Sequence, residues 1–317
     1  MAHVQYREIS LSKANMRYLD IINEIIQEYL DDGYVLTLRQ LYYQLVSRDI
    51  IANKVPEYKK LGRVLVEGRM AGLVDWKAIE DRIRVPELPW WVNNVEDALT
   101  QVLNQYRVNR MKHQKVYLEL WIEKDALSGV VERVTKKYHI RLMVNRGYSS
   151  CTAIHDAAAR LRKASRNDQL PIILYLGDHD PSGLDMVQDI NKRLTEFGLK
   201  SISNYSDMIL SDLKAHAEER FLLPGTFFIK HLGLNKQQIK RYNPPPNPAK
   251  VTDPRAGKYI DEHGPISWEV DALEPKVLIN LLEKSITALI NVDQYNEMVS
   301  LEEKDKELLN ELIEQVQ

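Results

Sequence analysis

The sequence predicts an α/β protein in two parts, a helical N-terminal region followed by a larger region built on a parallel sheet. Three observations predict it. Residues 15–71 place apolar side chains at helical spacing in three stretches divided by short turns. From Val116 onward, short apolar strand-like runs alternate with helical stretches, the pattern of a parallel sheet flanked by helices. Finally, the run Leu174-Tyr175-Leu176-Gly177-Asp178-His179-Asp180-Pro181-Ser182-Gly183 ends an apolar strand in two carboxylates one residue apart. In open α/β sheets, ligands bind beyond the carboxyl ends of strands.

In the N-terminal region, Asn15 to Leu30 reads as a helix with Ile21, Ile22, Ile25, Ile26 and Tyr29 on its apolar stripe. Thr37 is a good N-cap for a second helix, Leu38 to Ser47. A third runs from Pro56 to Ala71, with Gly72 at its end. Three helices with short turns suit a winged-helix or helix-turn-helix module. Pro86 to Trp91 breaks the pattern, Val95 to Asn109 reads as a connecting helix, and the boundary falls near Arg110 to Gln114. The expected domains are therefore 1–110 and 111–317.

The second region reads as strand Val116 to Ile122, helix Ala126 to Tyr138, strand Arg141 to Asn145, helix Ser150 to Ala164, strand Pro171 to Leu176 and helix Pro181 to Phe197. A further strand is expected at Thr226 to Lys230. Pro244-Pro245-Pro246 and Pro248 read as a stiff extended loop. Helices return at Glu274 to Ile290 and Leu301 to Val316, the last acidic and amphipathic. No internal repeat is visible.

Composition narrows the function classes. The 317 residues are 44% hydrophobic and 28% charged, ordinary for a globular chain of about two domains. No apolar run approaches a membrane span, and the N-terminus lacks the apolar core of a signal peptide, so a cytoplasmic protein with no membrane partner is expected. Cys151 is the only cysteine, which excludes internal disulfides and a cysteine zinc site. A net charge of −2 excludes a wholly basic nucleic-acid coat but leaves room for a local basic face.

Asp178 and Asp180 point the same way if the strand geometry persists to the second of them. Two like charges that close repel, and a divalent cation removes the cost. The alternative is that Asp180 caps the helix that Pro181 begins; capping and metal binding are compatible. Glu123 follows Val116, Leu118, Leu120 and Ile122 at the end of the first strand. With the strands parallel, Glu123, Asp178 and Asp180 share one sheet edge and form a candidate Mg²⁺ site. An Asp/Glu–Lys surface pair, with Lys124 for example, is the alternative for Glu123.

On these residues the chain resembles the Toprim domain of topoisomerases, bacterial primases and some nucleases, over roughly residues 115–200. The longer Asp-x-Asp-Pro-x-Gly form is similar to one branch, the topoisomerase VI A subunit and the related meiotic double-strand-break transesterase. The resemblance implies that Glu123, Asp178 and Asp180 bind Mg²⁺, with Mn²⁺ as a substitute, and support DNA cleavage. Leu38-Arg39-Gln40-Leu41-Tyr42-Tyr43 is similar to the segment carrying the nucleophilic tyrosine of that branch, where an arginine lies four residues before the second tyrosine. Helix geometry puts Leu38, Leu41, Tyr42 and Leu45 on one apolar face and Arg39, Tyr43 and Ser47 on another. Tyr42 is then core, and Tyr43 stands available beside a cation. A phenol with a pKa of ~10 needs such a neighbour to become a nucleophile. An ordinary amphipathic tyrosine on a DNA-contacting helix is the alternative.

The chain departs from the branch between the acidic motifs. At Arg146-Gly147-Tyr148-Ser149-Ser150-Cys151-Thr152 the branch's glycine-proline turn and Thr-Arg pair are not evident. Gly147 still permits a tight turn, and Ser149 and Ser150 are candidates for a DNA phosphate or for capping a helix. Arg63, Arg69, Arg82, Arg84 and the run Arg107 to Lys115, with Arg110 and Lys112, are candidate phosphate contacts or solvated helix faces. Lys250, Asp253, Arg255 and Trp268-Glu269-Val270-Asp271-Ala272-Leu273 complete the metal site or a dimer contact, or serve as caps and surface pairs. His179 faces away from the aspartates. The resemblance implies a homodimer acting on DNA. With no P-loop in the chain, strand passage requires a separate ATPase subunit. The expected function is Mg²⁺-dependent DNA transesterification of the topoisomerase VI A type. The rivals are a Toprim nuclease acting through water and a non-catalytic DNA-binding subunit of a mobile-element or defence system.

Overall fold

Helix starts in the N-terminal region follow from its capping residues. The computed structural model of the chain describes residues 5–79, 90–145, 147–202, 209–218 and 224–315. Ser12 accepts from the Asn15 amide and opens α1 (Lys13–Asp31). Thr37 and Gln40 form a reciprocal capping box at the start of α2 (Leu38–Ser47). Pro56 lies in the first turn of α3 (Val55–Met70), where its missing N–H costs nothing. The three helices close on their own core, which includes Leu19, Ile22, Leu41, Leu45, Leu61 and Val64. Among the described residues this unit has no strand pairing beyond an isolated bridge between Leu36 and Ile79.

The expected connecting helix is shorter than its periodicity suggested, α4 (Val95–Gln105), and it packs against the C-terminal helix, far along the chain. Next come β1 (Val116–Ile122), α5 (Ser128–Tyr138), β2 (Arg141–Val144), α6 (Cys151–Arg166), β3 (Leu170–Leu176), α7 (Pro181–Glu196), β4 (Lys200–Ser201), α8 (Leu210–Glu218) and β5 (Thr226–Gly233). The five strands form one sheet in the order β2-β1-β3-β5-β4, every pair parallel. All seven residues of β3 are buried, as its central position requires.

Strand alternation sorts side chains to two cores. Leu118, Leu120, Ile122, Ile172, Leu174 and Leu176 face α5 and the later α11 (Pro275–Leu289). Trp121, Ile173 and Tyr175 face α6 and α7. The helix after β1 and the helix after β2 therefore cover opposite faces, and the chain reverses direction across the sheet at β1 and β3. That is a topological switch point, where a crevice opens beyond the strand ends. On the α6 face, Glu119 is fully buried yet satisfied, accepting from Tyr117, Trp121 and Arg160.

The remaining elements are α9 (Lys236–Tyr242), β6 (Pro246–Pro248), α10 (Ala256–His263), β7 (Ile266–Trp268), α11 and α12 (Val292–Glu314). The proline-rich stretch is not a simple loop. Its extended backbone lets residues 246–248 pair antiparallel with β7. α12 starts nine residues earlier than the sequence expectation of Leu301, with Asn291 as its cap. No helix among the described residues is long and apolar enough to cross a membrane.

Glu302 of α12 anchors the segment after α4. Its buried carboxylate accepts from Arg110 Nε and Nη2 (3.0 and 2.9 Å), from Lys306 Nζ (2.6 Å) and from the Val108 amide. Burial raises the Glu302 carboxyl, but the hydrogen bonds from Arg110 and Lys306 outweigh it and hold the pKa at about 2. A depressed folded-state pKa contributes stability above the ordinary value of 4.5, lost as pH falls toward about 2. Glu302→Gln is expected to lower unfolding stability by about 1–3 kcal/mol at pH 7. In urea titrations across pH, the gap between this variant and the natural chain should close between 4.5 and about 2.

Candidate active site at the carboxyl edge of the sheet

The register of β1 and β3 brings two of the predicted acids together. Ile122 lies opposite Leu176, so Glu123 and Gly177 leave the sheet side by side. Glu123 Oε2 accepts from the Asp178 amide at 2.9 Å. A methyl group at Gly177 would lie 3.0 Å from Glu123 Oε2, and one at Gly183 would lie 2.4 Å from the Asp178 carbonyl oxygen and 3.1 Å from Glu123 Oε2. Glycine at both positions lets the backbone close around the carboxylate. Asp180 caps α7, its Oδ1 accepting from the Gly183 amide at 2.6 Å and from Ser182 Oγ at 2.9 Å.

The rest of the site comes from a segment the sequence left undecided. The backbones of His179 and Trp268 exchange two hydrogen bonds, at 2.9 and 3.0 Å. That bridge lays residues 269–272 across the strand ends. The Val270 amide donates to Asp178 Oδ1 at 2.9 Å. Lys124, the residue after Glu123, places Nζ 2.7 Å from Asp178 Oδ2, 2.8 Å from Glu269 Oε2 and 2.9 Å from Asp271 Oδ1. Arg39 of α2 reaches the same carboxylates, pairing with Glu269 and placing Nε 2.9 Å from Asp271 Oδ2. Tyr43, one turn along, lies beneath the Arg39 guanidinium, which is 5.8 Å from the ring centre, and stands close enough to Glu269 for that carboxylate to add to the rise that burial gives its pKa.

Tyr43 therefore stands beside a cation, but it is not exposed: only 4% of its surface is accessible. Helix periodicity put it on a polar face, and residues 269–272 cover that face. His179 points away from the acids, its ring hydrogen-bonded to the Tyr259 hydroxyl at 3.2 Å. The sequence reading left Glu269 and Asp271 open between completing the site and serving as caps or surface pairs, and it named Lys124 only as a surface partner for Glu123. The available signal was a second pair of carboxylates one residue apart in Trp268-Glu269-Val270-Asp271.

Five carboxylates (Glu123, Asp178, Asp180, Glu269 and Asp271) face two cations, Lys124 and Arg39, on this edge. Burial pushes the Asp178 carboxyl up, Lys124 opposes, and Glu123 and Asp271 reinforce the rise, to about 8. Burial also raises Glu123, against the Asp178 amide and Lys124 and with help from Asp180 and Asp271. Glu269 goes the other way: burial raises it, but Lys124 and Arg39 win and hold it at about 2. Burial raises the Tyr43 hydroxyl, the charges of Glu269 and Asp271 add to the rise, and Arg39 only partly offsets it. Burial disfavours the Lys124 ammonium, yet its three carboxylates outweigh that and raise its pKa.

This all-oxygen, net-negative set suits a hard divalent cation such as Mg²⁺ or Mn²⁺ in charge and donor type. Among the described residues, however, no three His, Cys, Asp or Glu side chains are gathered as a ligand group. Lys124 and the Val270 amide hold the oxygens of Asp178, and Asp180 is turned to its helix cap.

The candidate phosphate contacts divide. Arg63 and Lys112 are exposed, whereas Arg82 and Arg84 lie outside the described residues. Arg69 is used inside the fold, donating to the carbonyls of Trp76 and Ile79. Arg110 is held by Glu302 and the Lys137 carbonyl. Ser150 caps α6, accepting from the Ala153 amide, and Ser149 donates to Asn145 Oδ1. Each of these four side chains is held by a polar group inside the fold, Arg110 by the distant Glu302 of α12. Gly147 takes the expected turn, with φ of 95°.

No family model, curated protein or solved structure matches the chain. The α/β architecture, with its parallel sheet of five strands, therefore rests on the fold alone.

Gly183→Ala forces the Asp178 carbonyl away from a 2.4 Å approach. It should destabilise the protein by about 1–3 kcal/mol in chemical denaturation. Lys124→Met leaves the buried Asp178 and Asp271 and the half-buried Glu269 with Arg39 as their remaining cation and should cost about 3–5 kcal/mol. A loss below about 1 kcal/mol would mean that the pairs behave like solvated surface contacts.

Proposed function

We propose that the chain is a Toprim-type DNA transesterase resembling the topoisomerase VI A subunit, with Tyr43 as nucleophile and a divalent cation on Glu123, Asp178 and Asp180. One observation carries the reading. Arg39 and Tyr43 of the N-terminal helical unit meet the acidic sheet edge within a single chain, joined through Glu269.

In this reading the Tyr43 oxygen attacks a DNA phosphorus. The bond to the leaving deoxyribose oxygen breaks, and the new phosphotyrosine ester preserves the energy needed for religation. In this reading Glu269 receives the Tyr43 proton, a transfer that its low pKa of about 2 opposes until the charges around it change. Arg39 lies over the ring to stabilise phenolate character and the charge that develops on the phosphate oxygens. The bound cation, Mg²⁺ or Mn²⁺, supplies neutralisation of a neighbouring phosphate. Glu123, Asp178 and Asp180 would hold that cation, which would require Lys124 and the α7 cap to give up their present bonds to the aspartates. A homodimer, a separate ATPase subunit and a cytoplasmic location belong to the same resemblance.

The burial and raised pKa of Tyr43 favour a second reading, a Toprim nuclease in which water attacks and Tyr43 is structural. One experiment separates the two. Purified protein is incubated with end-labelled supercoiled and linear DNA plus Mg²⁺ or Mn²⁺, denatured with detergent and assayed for protein covalently attached to DNA. The transesterase gives an adduct that disappears in Tyr43→Phe and in Asp178→Ala. Cleavage without adduct, abolished by Asp178→Ala and retained in Tyr43→Phe, establishes the nuclease. DNA binding with no cleavage under any of these conditions defeats both.

A further inference from the structure

Helix α4 is amphipathic, yet none of its residues is fully buried. It packs against α12, the acidic C-terminal helix, which takes no part in the site at the sheet edge. The first half of α12 is covered by α5, through Tyr138 against Tyr295 and the Lys137 carbonyl on the Tyr295 hydroxyl. The Tyr106 hydroxyl at the end of α4 donates to Asp305 Oδ2 at 2.6 Å, and the chain beyond it turns to Glu302. From that anchor α4 extends along the second half of α12, where Ile313 is buried, so the two helices run antiparallel.

Each helix leaves an apolar row beside the seam. On α12, Glu302, Leu309 and Ile313 turn inward, and Leu301, Leu308 and Leu312 form an exposed row. On α4, Leu99 and Leu103 are half-buried, and Val95 and Val102 are exposed. In both helices the exposed row lags the seam row by roughly 70–100° of helical turn. Rows that lag the seam in the same sense fall on the same side of an antiparallel pair. The two rows therefore border one groove, open among the described residues. Trp90 adds an exposed ring on the outer side of α4, its Nε1 donating to Gln101 Oε1 at 2.6 Å. Contiguous exposed apolar surface of this kind marks interaction sites.

Charge selects the occupant. α12 carries eight acids and two lysines, and Lys306 is committed to the buried Glu302. On the side of the leucine row lie Glu297, Asp305 and Glu311, with Lys304 among them. α4 adds Glu96 and Asp97. A surface of this sign repels DNA and an anionic membrane. It also repels the same helix of a second copy. A helix with leucines on one face and lysine or arginine along its margins satisfies both the apolar rows and the charge, and it completes a three-helix bundle.

We propose that the groove between α4 and α12 docks a basic amphipathic helix of a partner protein. The proposal stands apart from the DNA-cleaving reading and uses none of its residues.

The test uses the full chain and a fluorescein-labelled peptide of about 18 residues, with leucines at helical spacing and lysines elsewhere. One control peptide replaces lysine by glutamate, and another keeps the composition and scrambles the order. Fluorescence anisotropy in about 150 mM salt limits unspecific charge attraction. The lysine peptide is expected to bind with a dissociation constant in roughly the micromolar range, and each control about 10-fold more weakly or worse. Val102→Glu and Leu308→Glu should each weaken the lysine peptide by about 10-fold or more, whereas Val66→Glu, exposed on α3, should leave it unchanged. Glu297→Lys combined with Glu311→Lys should move the preference toward the glutamate peptide. Thermal melting confirms that each variant is folded. No binding, equal binding of the scrambled peptide, or an affinity that survives both Val102→Glu and Leu308→Glu overturns the groove. Sedimentation of the chain alone tests the other occupant: a dimer dispersed by Leu308→Glu means that a second copy fills the groove, and it overturns the partner helix.

Discussion

Lys124 holds the two halves of the molecule in register. Its ammonium lies within 2.9 Å of Asp178 at the sheet edge and of Glu269 and Asp271 in the segment that crosses it. Glu269 and Asp271 in turn receive Arg39 from the N-terminal helical unit. Remove the lysine, and the buried Asp178 and Asp271 and the half-buried Glu269 keep a single guanidinium between them. An uncompensated buried charge is among the most destabilising defects a fold can carry. The docking of α2 on residues 269–272 and the burial of Tyr43 both depend on that charge being balanced.

The balance is incomplete, and that gives the site its character. Two cations stand against five carboxylates, and burial first, then the neighbouring carboxylates, raise the pKa of Asp178 and Glu123 against the opposing Lys124. Such perturbed groups in a crevice mark candidate reactive sites, although structural ion networks perturb titrating groups as well. In the arrangement described, Lys124 neutralises Asp178, and Asp180 serves as a helix cap.

Much of the fold was legible because it is written locally. β1 (Val116–Ile122) and α2 (Leu38–Ser47) have the limits that apolar patterning and the Thr37 cap imply. Asp180 followed by Pro181 opens α7, as their preferences for the cap and the first turn require. The carboxyl-edge position of Glu123 and Asp178 followed from strand ends once the strands were parallel. Less was visible where the partner is distant. The pairing of Pro246–Pro248 with β7, the contact of α4 with α12 and the capture of Arg110 by Glu302 join segments whose neighbourhood no local pattern encodes.

Periodicity, caps and the paired aspartates thus specify the elements and place an acidic edge on a parallel sheet, since those signals act over a few residues. Which charges meet at that edge is a matter of tertiary arrangement. Lys124 and Glu269 are 145 positions apart, and Arg39 and Glu269 are 230 apart. Strand order and the His179–Trp268 bridge bring them within hydrogen-bond reach. A helical wheel assigns Tyr43 to a polar face, and the covering segment makes that face interior, because burial depends on what packs against a helix as well as on the helix's own pattern.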